Sequence, residues 1–85
     1  MDKDFPISDY YRDNIEDAIS ISRSGGWWTA ALLIRDPKSN QPFVGCYRWQ
    51  HTESGWKIRG RLKINSKKDL EKMIEILSQF NQHFN

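Results

Sequence analysis

The sequence predicts a small α+β domain in which a four-stranded antiparallel β-meander precedes one long amphipathic helix, in the order β-β-β-β-α. Strand-like runs separated by Gly- and Pro-containing turns predict the sheet. Apolar residues at helical spacing predict the helix near the C-terminus. The 85 residues suffice for one domain with a thin core, which excludes a two-domain enzyme built on a cofactor-binding fold.

The beginning of the chain differs in charge from the rest. Residues 1–17 form an acidic leader with six acids against two bases, net −4, whereas residues 18–85, the expected single domain, hold eleven bases against five acids, net +6. Apolar residues at helical spacing follow Ser8, a candidate N-cap, and indicate a helix. Residues 18–23 alternate with period two before a Ser-Gly-Gly turn, which indicates a strand. We favour a short helical or irregular leader and a first strand from about Ile19.

The middle of the chain contains three further strand patterns. Residues 27–35 are aromatic and aliphatic, as expected of a central strand buried on both faces. Residues 36–42 contain two prolines with Asp and Asn, and are expected to form a loop. Residues 43–50 predict the third strand, residues 51–55 a five-residue hairpin loop, and residues 56–64 the fourth strand.

The C-terminal helix has a start signal and a wide apolar face. Ser66 followed by Asp69 resembles a capping box, with Asp in the usual place of Glu. Packing on the sheet explains most of the apolar face, but Ile76 and Phe84 make it wider than one sheet contact requires. We therefore expect a homodimer formed through this helix. The regularly spaced apolar residues are Leu70, Met73, Ile74, Leu77 and Phe80.

The fourth predicted strand carries a cation at every second position. Because successive side chains of a strand point to opposite faces, Lys57, Arg59, Arg61 and Lys63 are expected to form one row, with neighbours about 6.6 Å apart. Like charges in a row repel one another, so such a row is disfavoured unless an anionic ligand meets it. The spacing is close to that of phosphates along an extended single strand of nucleic acid.

Pairing the third and fourth strands across the five-residue loop sets aromatic rings among these cations. If Gln50 pairs with Trp56, Trp49 lies opposite Lys57 and Tyr47 opposite Arg59. Rings that stack on bases and cations that follow phosphates are typical of sequence-tolerant single-strand binders. A slip of one residue would instead turn the rings into the core. With Arg48 at the rim, the candidate nucleic-acid-binding residues are Lys57, Arg59, Arg61, Lys63, Tyr47, Trp49, Phe43 and Arg48.

Other functions have weaker signals in the sequence. We expect no enzyme, cofactor, metal or small-molecule substrate, because His51 and His83 have no matching zinc ligands and Cys46 is expected to face inward. With one cysteine and no apolar run of about 20 residues, the chain is expected to be cytoplasmic and outside the membrane. We expect single-stranded DNA or RNA as the partner, and three alternatives remain. In the first the cations only protect a sheet edge from aggregation, in the second the chain is a protein-interaction module, and in the third it is a regulatory subunit whose leader covers the cations.

The end of the fourth strand resembles a family motif. The run from Arg59 to Asn65 (RGRLKIN), followed by Leu70, Ile74 and Leu77, is similar to the transcriptional coactivator positive cofactor four and to its Whirly-type relatives. The resemblance covers about residues 18–80 and implies a homodimer with packed helices and a sheet channel for single-stranded DNA, in transcription, replication or repair. By position, the resemblance implies that the cations of the fourth strand correspond to the family's basic strand residues. It also implies that Tyr47 and Trp49 correspond to its stacking aromatics. The glycine is offset by one residue from the commonest form of the motif.

Overall fold

Four antiparallel strands and a C-terminal helix build the fold, as the sequence predicts. The computed structural model describes residues 5–84. The strands lie in chain order within one sheet, so that each pairs with the next as a meander. The elements are α1 (Asp9–Arg12), β1 (Ile15–Ser24), β2 (Trp27–Arg35), β3 (Pro42–Thr52), β4 (Gly55–Ile64) and α2 (Lys67–Asn81).

The first hairpin turns on a pair of glycines. Gly25 and Gly26 have φ values of 60° and 79°, the left-handed region that glycine adopts without strain. Ser24 pairs with Trp27 directly across this two-residue turn, as the Ser-Gly-Gly signal predicts. The strand before the turn begins at Ile15 rather than near Ile19, so the period-two interpretation extends further toward the N-terminus than expected.

The hairpin between β3 and β4 is tighter than the predicted five-residue loop. Thr52 pairs with Gly55, which leaves only Glu53 and Ser54 in the turn. The Thr52 hydroxyl donates to the carbonyl oxygen of Gly55 at 2.8 Å and accepts from the backbone N–H of Ser54 at 3.2 Å. These contacts satisfy polar groups at the turn, so both strands continue through residues expected to be loop.

The shorter turn changes the register of β4 against β3. Lys57 pairs with Gln50 rather than Trp49, and Arg61 pairs with Tyr47. The predicted pairing, which placed Arg59 opposite Tyr47, is therefore wrong. Arg59 has no partner on β3, because the register shifts between Arg48 and Trp49; it is the extra residue of a β-bulge.

The two faces of the sheet differ in what covers them. We call the face that is packed beneath residues 5–14 the covered face, and the opposite one the open face. Gly45 lies on the covered face, where a Cβ would come within 2.6 Å of the Tyr47 ring, so only glycine leaves space for that ring. The buried strand residues of the covered face are Ile15, Trp28, Ala30, Leu32, Ile34, Phe43, Tyr47 and Trp49.

The part of the leader that the structure describes completes the core. Phe5 and Ile7 are 6% and 5% exposed, and the Phe5 ring stacks on that of Trp28 with centroids 5.1 Å apart. The indole N–H of Trp49 donates to the carbonyl oxygen of Pro6 at 3.0 Å. Ser8 caps α1, as expected, by accepting from the backbone N–H of Tyr10. The division into a leader of residues 1–17 and a domain of residues 18–85 stays a prediction, although β1 already begins within the leader.

Helix α2 forms where the sequence predicts it. The Ser66 hydroxyl accepts from the backbone N–H of Asp69 at 3.2 Å, which caps the first turn. The helix leaves the edge strand β4 and flanks a groove with it, in which Met73 and Leu77 face Leu62. None of its described residues is buried. Packing on the sheet therefore explains less of its apolar face than expected.

Candidate nucleic-acid interface

The aromatic residues that the sequence offers for base stacking lie inside the core. Phe43 and Tyr47 are each 4% exposed, and Trp49 is fully buried. Tyr47 and Trp49 stack in parallel with centroids 5.5 Å apart, and the leader covers them. The expectation that these rings line an accessible surface is wrong in this conformation, because the covered face needs their apolar area as its core.

The four cations of β4 do not form one row. Arg61 and Lys63 pair with Tyr47 and Gly45 and so lie on the covered-face side of β4. Lys57 pairs with Gln50, on the open face. The bulge turns Arg59 toward the open face as well, where its Nε donates to the side-chain oxygen of Gln50. One extra residue in a strand moves all the following side chains to the opposite face of the sheet. The bulge therefore divides the predicted row into two pairs, one on each face.

Two cations at the covered face, Lys63 and Arg23, have partners within the chain, whereas Arg61 has no carboxylate within 4.0 Å among residues 5–84. The Lys63 ammonium lies 4.4 Å from the centroid of the Phe43 ring and 3.7 Å from a carboxylate oxygen of Asp36. The guanidinium of Arg23 lies 4.1 Å from the ring centroid of Trp28. These contacts close the rim of the core, so they have a structural explanation without any ligand.

The cations of the open face lie together at the end of the sheet that holds both hairpin turns. The guanidinium of Arg48 lies 3.9 Å from the centroid of the Trp27 ring, and Arg59 Nε is 3.1 Å from the side-chain oxygen of Gln50. Lys57 lies beside this pair on β4. Among residues 5–84, no carboxylate comes within 4.0 Å of the charged nitrogens of these three cations. We call Trp27, Arg48, Gln50, Lys57 and Arg59 the basic end.

Trp27 is the residue of this surface that sequence reasoning missed. The uninterrupted run of residues 27–35 predicts burial on both faces, yet only alternate residues of β2 are buried. Trp28 enters the core, whereas Trp27 is half-buried on the open face. Thr29 is the signal in the sequence that could have shown this. It lies on the same face as Trp27, and a polar residue among every second position of the strand indicates that this face is the less buried one.

The other half of the open face is apolar. Ile19 is 67% exposed, and Leu33 and Leu62 are 38% and 45% exposed. A shallow depression between β1, β2 and β3 is lined by Ile19, Leu33 and Val44. The open face therefore combines a basic end with an apolar half that continues toward the groove beside α2.

Two titratable side chains of β3, Cys46 and Tyr47, have raised pKa values. Burial raises the pKa of the Cys46 thiol. Burial also raises the pKa of the Tyr47 phenol, and the positive charge of Arg61 offsets only part of this rise. Both groups therefore stay protonated at neutral pH, and a protonated thiol is a poor nucleophile. Within residues 5–84, no three His, Cys, Asp or Glu side chains are grouped closely enough to hold a metal ion.

Comparisons with protein-family models, with curated proteins and with solved structures find no match for this chain. Of the described helices, none has the length and apolar character required to cross a membrane.

Proposed function

We propose that this chain is a non-enzymatic cytoplasmic protein that binds single-stranded nucleic acid, DNA in the first place, through the basic end of its open face. One observation carries the proposal: three cations without carboxylate partners among the described residues lie on one face with Trp27, a half-buried tryptophan that one of them contacts. Clustering Arg48, Lys57 and Arg59 raises the electrostatic energy of the free protein, and an anionic ligand would lower it.

The contact between Arg48 and Trp27 supports a single strand as the ligand. A guanidinium stacked on an indole is a flat, cationic platform that accepts an unstacked base. In a duplex the bases are already stacked and paired, so such a platform has no base face to meet. Lys57 and Arg59 lie beside it on β4, and their positive charges favour a strand that runs across the platform.

A homodimer formed through α2 is part of the same proposal. Ile74, Leu77 and Phe80 are between 54% and 58% exposed, and Phe84, just beyond the helix, is 77% exposed. A helix with this much uncovered apolar surface, beside the apolar half of the open face, is typical of an interface rather than of a free monomer. The proposed kinship with positive cofactor four and Whirly proteins predicts the same partner and a role in transcription or replication.

The test is a titration of fluorescently labelled oligonucleotides with the full chain, single-stranded and duplex, at two salt concentrations. We expect the single strand to bind more tightly than the duplex. Its affinity should fall with salt at a log–log slope of about −0.7 for each phosphate neutralised. Quenching of the tryptophan emission should accompany binding, and it should be smaller in Trp27→Phe because an indole on the platform is lost.

The matched control separates the basic end from overall charge. Arg48→Gln should weaken binding, whereas Lys68→Gln removes one positive charge from α2, outside the basic end, and should leave the affinity nearly unchanged. Equal losses in both variants would mean that only net charge matters. Absence of binding to any oligonucleotide at low salt would reject the proposal. The alternative of a protein-interaction module, favoured by the uncovered apolar surface of α2, would then take its place.

A further inference from the structure

The β-bulge places Arg59 differently from the other cations of the basic end. Bulges often redirect one side chain at a functional site, and here the extra residue is an arginine. Its Nε is held by the side-chain oxygen of Gln50 at 3.1 Å. That contact favours one orientation of the guanidinium before any ligand arrives. Arg48 and Lys57 have no comparable hydrogen bond among residues 5–84.

The hydrogen bond to Gln50 leaves the two terminal nitrogens of Arg59 available as a parallel pair of donors. In residues 5–84 neither of them has a hydrogen-bond or carboxylate partner. Such a fork matches the adjacent O6 and N7 acceptors of guanine, the commonest base-specific contact of arginine. Adenine offers an acceptor and a donor at the corresponding positions, and thymine has no N7 acceptor beside its carbonyl.

We infer that Arg59, oriented by Gln50, reads the O6/N7 edge of a guanine whose neighbour or own ring stacks on the Arg48–Trp27 platform. This inference rests on the proposed function and adds a base preference to it. A contact to phosphate can be made without a fixed orientation by a flexible cation such as Lys57, whereas a base edge is read by donors that are held in one orientation. The Gln50 contact restricts rotamers that a phosphate contact would leave free, and an oriented fork is what a base edge requires.

The experiment compares thymine oligonucleotides of one length that carry a single central substitution. A single purine in a thymine strand avoids the folded structures of guanine-rich sequences. We expect guanine and inosine, which both have O6 and N7, to bind about tenfold more tightly than thymine at this position. Adenine and 7-deazaguanine, which lack O6 and N7 respectively, should lose most of that preference.

Two variants test the role of the fork. Arg59→Lys keeps the charge and removes the fork, so it should bring the ratio of the guanine-strand affinity to the thymine-strand affinity close to one. Gln50→Ala should lower the affinity for the guanine strand by a larger factor than the affinity for the all-thymine strand. Lys57→Gln is the matched control, and it should weaken binding to all strands by the same factor.

Two results would overturn the inference without touching the proposed function. One is equal binding of the guanine and thymine strands by wild type. The other is an equal loss on both strands in Arg59→Lys, which would identify Arg59 as a phosphate contact. If no strand binds at all, the proposed function itself fails, and with it the inference. Circular dichroism of each variant tests whether the fold is retained. We expect that it is retained in Arg59→Lys, because Arg59 is exposed.

Discussion

The two faces of this sheet use the same kinds of residue for opposite purposes. On the covered face, tryptophan and tyrosine rings are buried beneath the leader, and Lys63 and Arg23 close the rim with partners from the same chain. On the open face, Trp27 is half-buried beneath Arg48, and the neighbouring cations lack carboxylate partners in the described part of the chain. Composition alone does not distinguish a core from a ligand surface, because what distinguishes them is which face the leader covers.

The covered face also explains why the leader matters to such a small protein. A chain of 85 residues has little apolar surface to bury, and α2 contributes no buried side chain to the described structure. Phe5 and Ile7 supply the missing layer over the sheet. The leader therefore replaces the helix as the element that closes the core.

The adjacent tryptophans of β2 give the largest expected difference between the faces. Trp28→Ala removes a ring that stacks on Phe5 and donates to the Ser20 hydroxyl at 2.9 Å, and should lower the free energy of unfolding by about 3–5 kcal/mol. Trp27→Ala loses mainly the cation–π contact with Arg48, which amounts to about 1 kcal/mol at an exposed site. Urea denaturation followed by circular dichroism measures both. Equal losses in the two variants would show that the open face is covered in solution.

The second prediction concerns the surface that no element of the described chain covers. Phe80→Glu places a charge at a 57% exposed position of α2, so the fold should persist while the proposed homodimer dissociates. Two copies of the ring are lost per dimer, and we expect dimerisation to weaken by at least about 100-fold. Sedimentation velocity measures this change. Lys68→Glu introduces the same residue on the polar side and should leave the dimer intact; a wild-type chain that stays monomeric at high concentration would contradict the prediction.

The elements of the fold follow from local signals, and the sequence therefore predicts them well. The Gly25–Gly26 turn, the Ser66 cap and the apolar periodicity of α2 each depend on a few neighbouring residues. The meander order follows from the short connections between strands. All of these are confirmed.

The candidate site was harder to predict because it depends on register. A turn shorter by three residues and a bulge at Arg59 decide which side of β4 each cation occupies, and neither has a clear signal in the sequence. Burial of Trp49 depends on contacts with Phe5 and Pro6, more than forty positions away in the chain. Pattern reasoning considers segments one at a time and has no means of bringing the leader over the sheet.

The third prediction compares one cation from each side of the sheet. Arg48→Gln should weaken binding of single strands of any sequence, because the cationic platform for a base is lost, and should reduce the salt slope by at most about 0.7, the contribution of one phosphate contact. Arg61→Gln removes the same charge from the covered-face side and should change neither quantity by much. Fluorescence anisotropy at several salt concentrations measures both. If Arg61→Gln loses as much affinity for single strands as Arg48→Gln, cations on both sides of β4 contact the strand. That result would contradict the distinction between the faces and agree with the single row that the sequence predicts.

The smallest expected effect comes from the acid that holds Lys63 at the covered face. The backbone N–H groups of Lys38 and Ser39, and then the charge of Lys63, lower the pKa of Asp36. Because the folded pKa lies below that of the unfolded chain, about 3.9, the ionised carboxylate stabilises the fold above this value and the contribution is lost as pH falls through the folded pKa. Asp36→Asn should therefore be slightly less stable than wild type at pH 7, and the difference in urea midpoint should close in acid. Asp13→Asn removes one acid from the leader and controls for net charge. If the urea midpoints of wild type and Asp36→Asn differ by the same amount at pH 7 and in acid, Asp36 contributes through the shape of the loop and not through its charge.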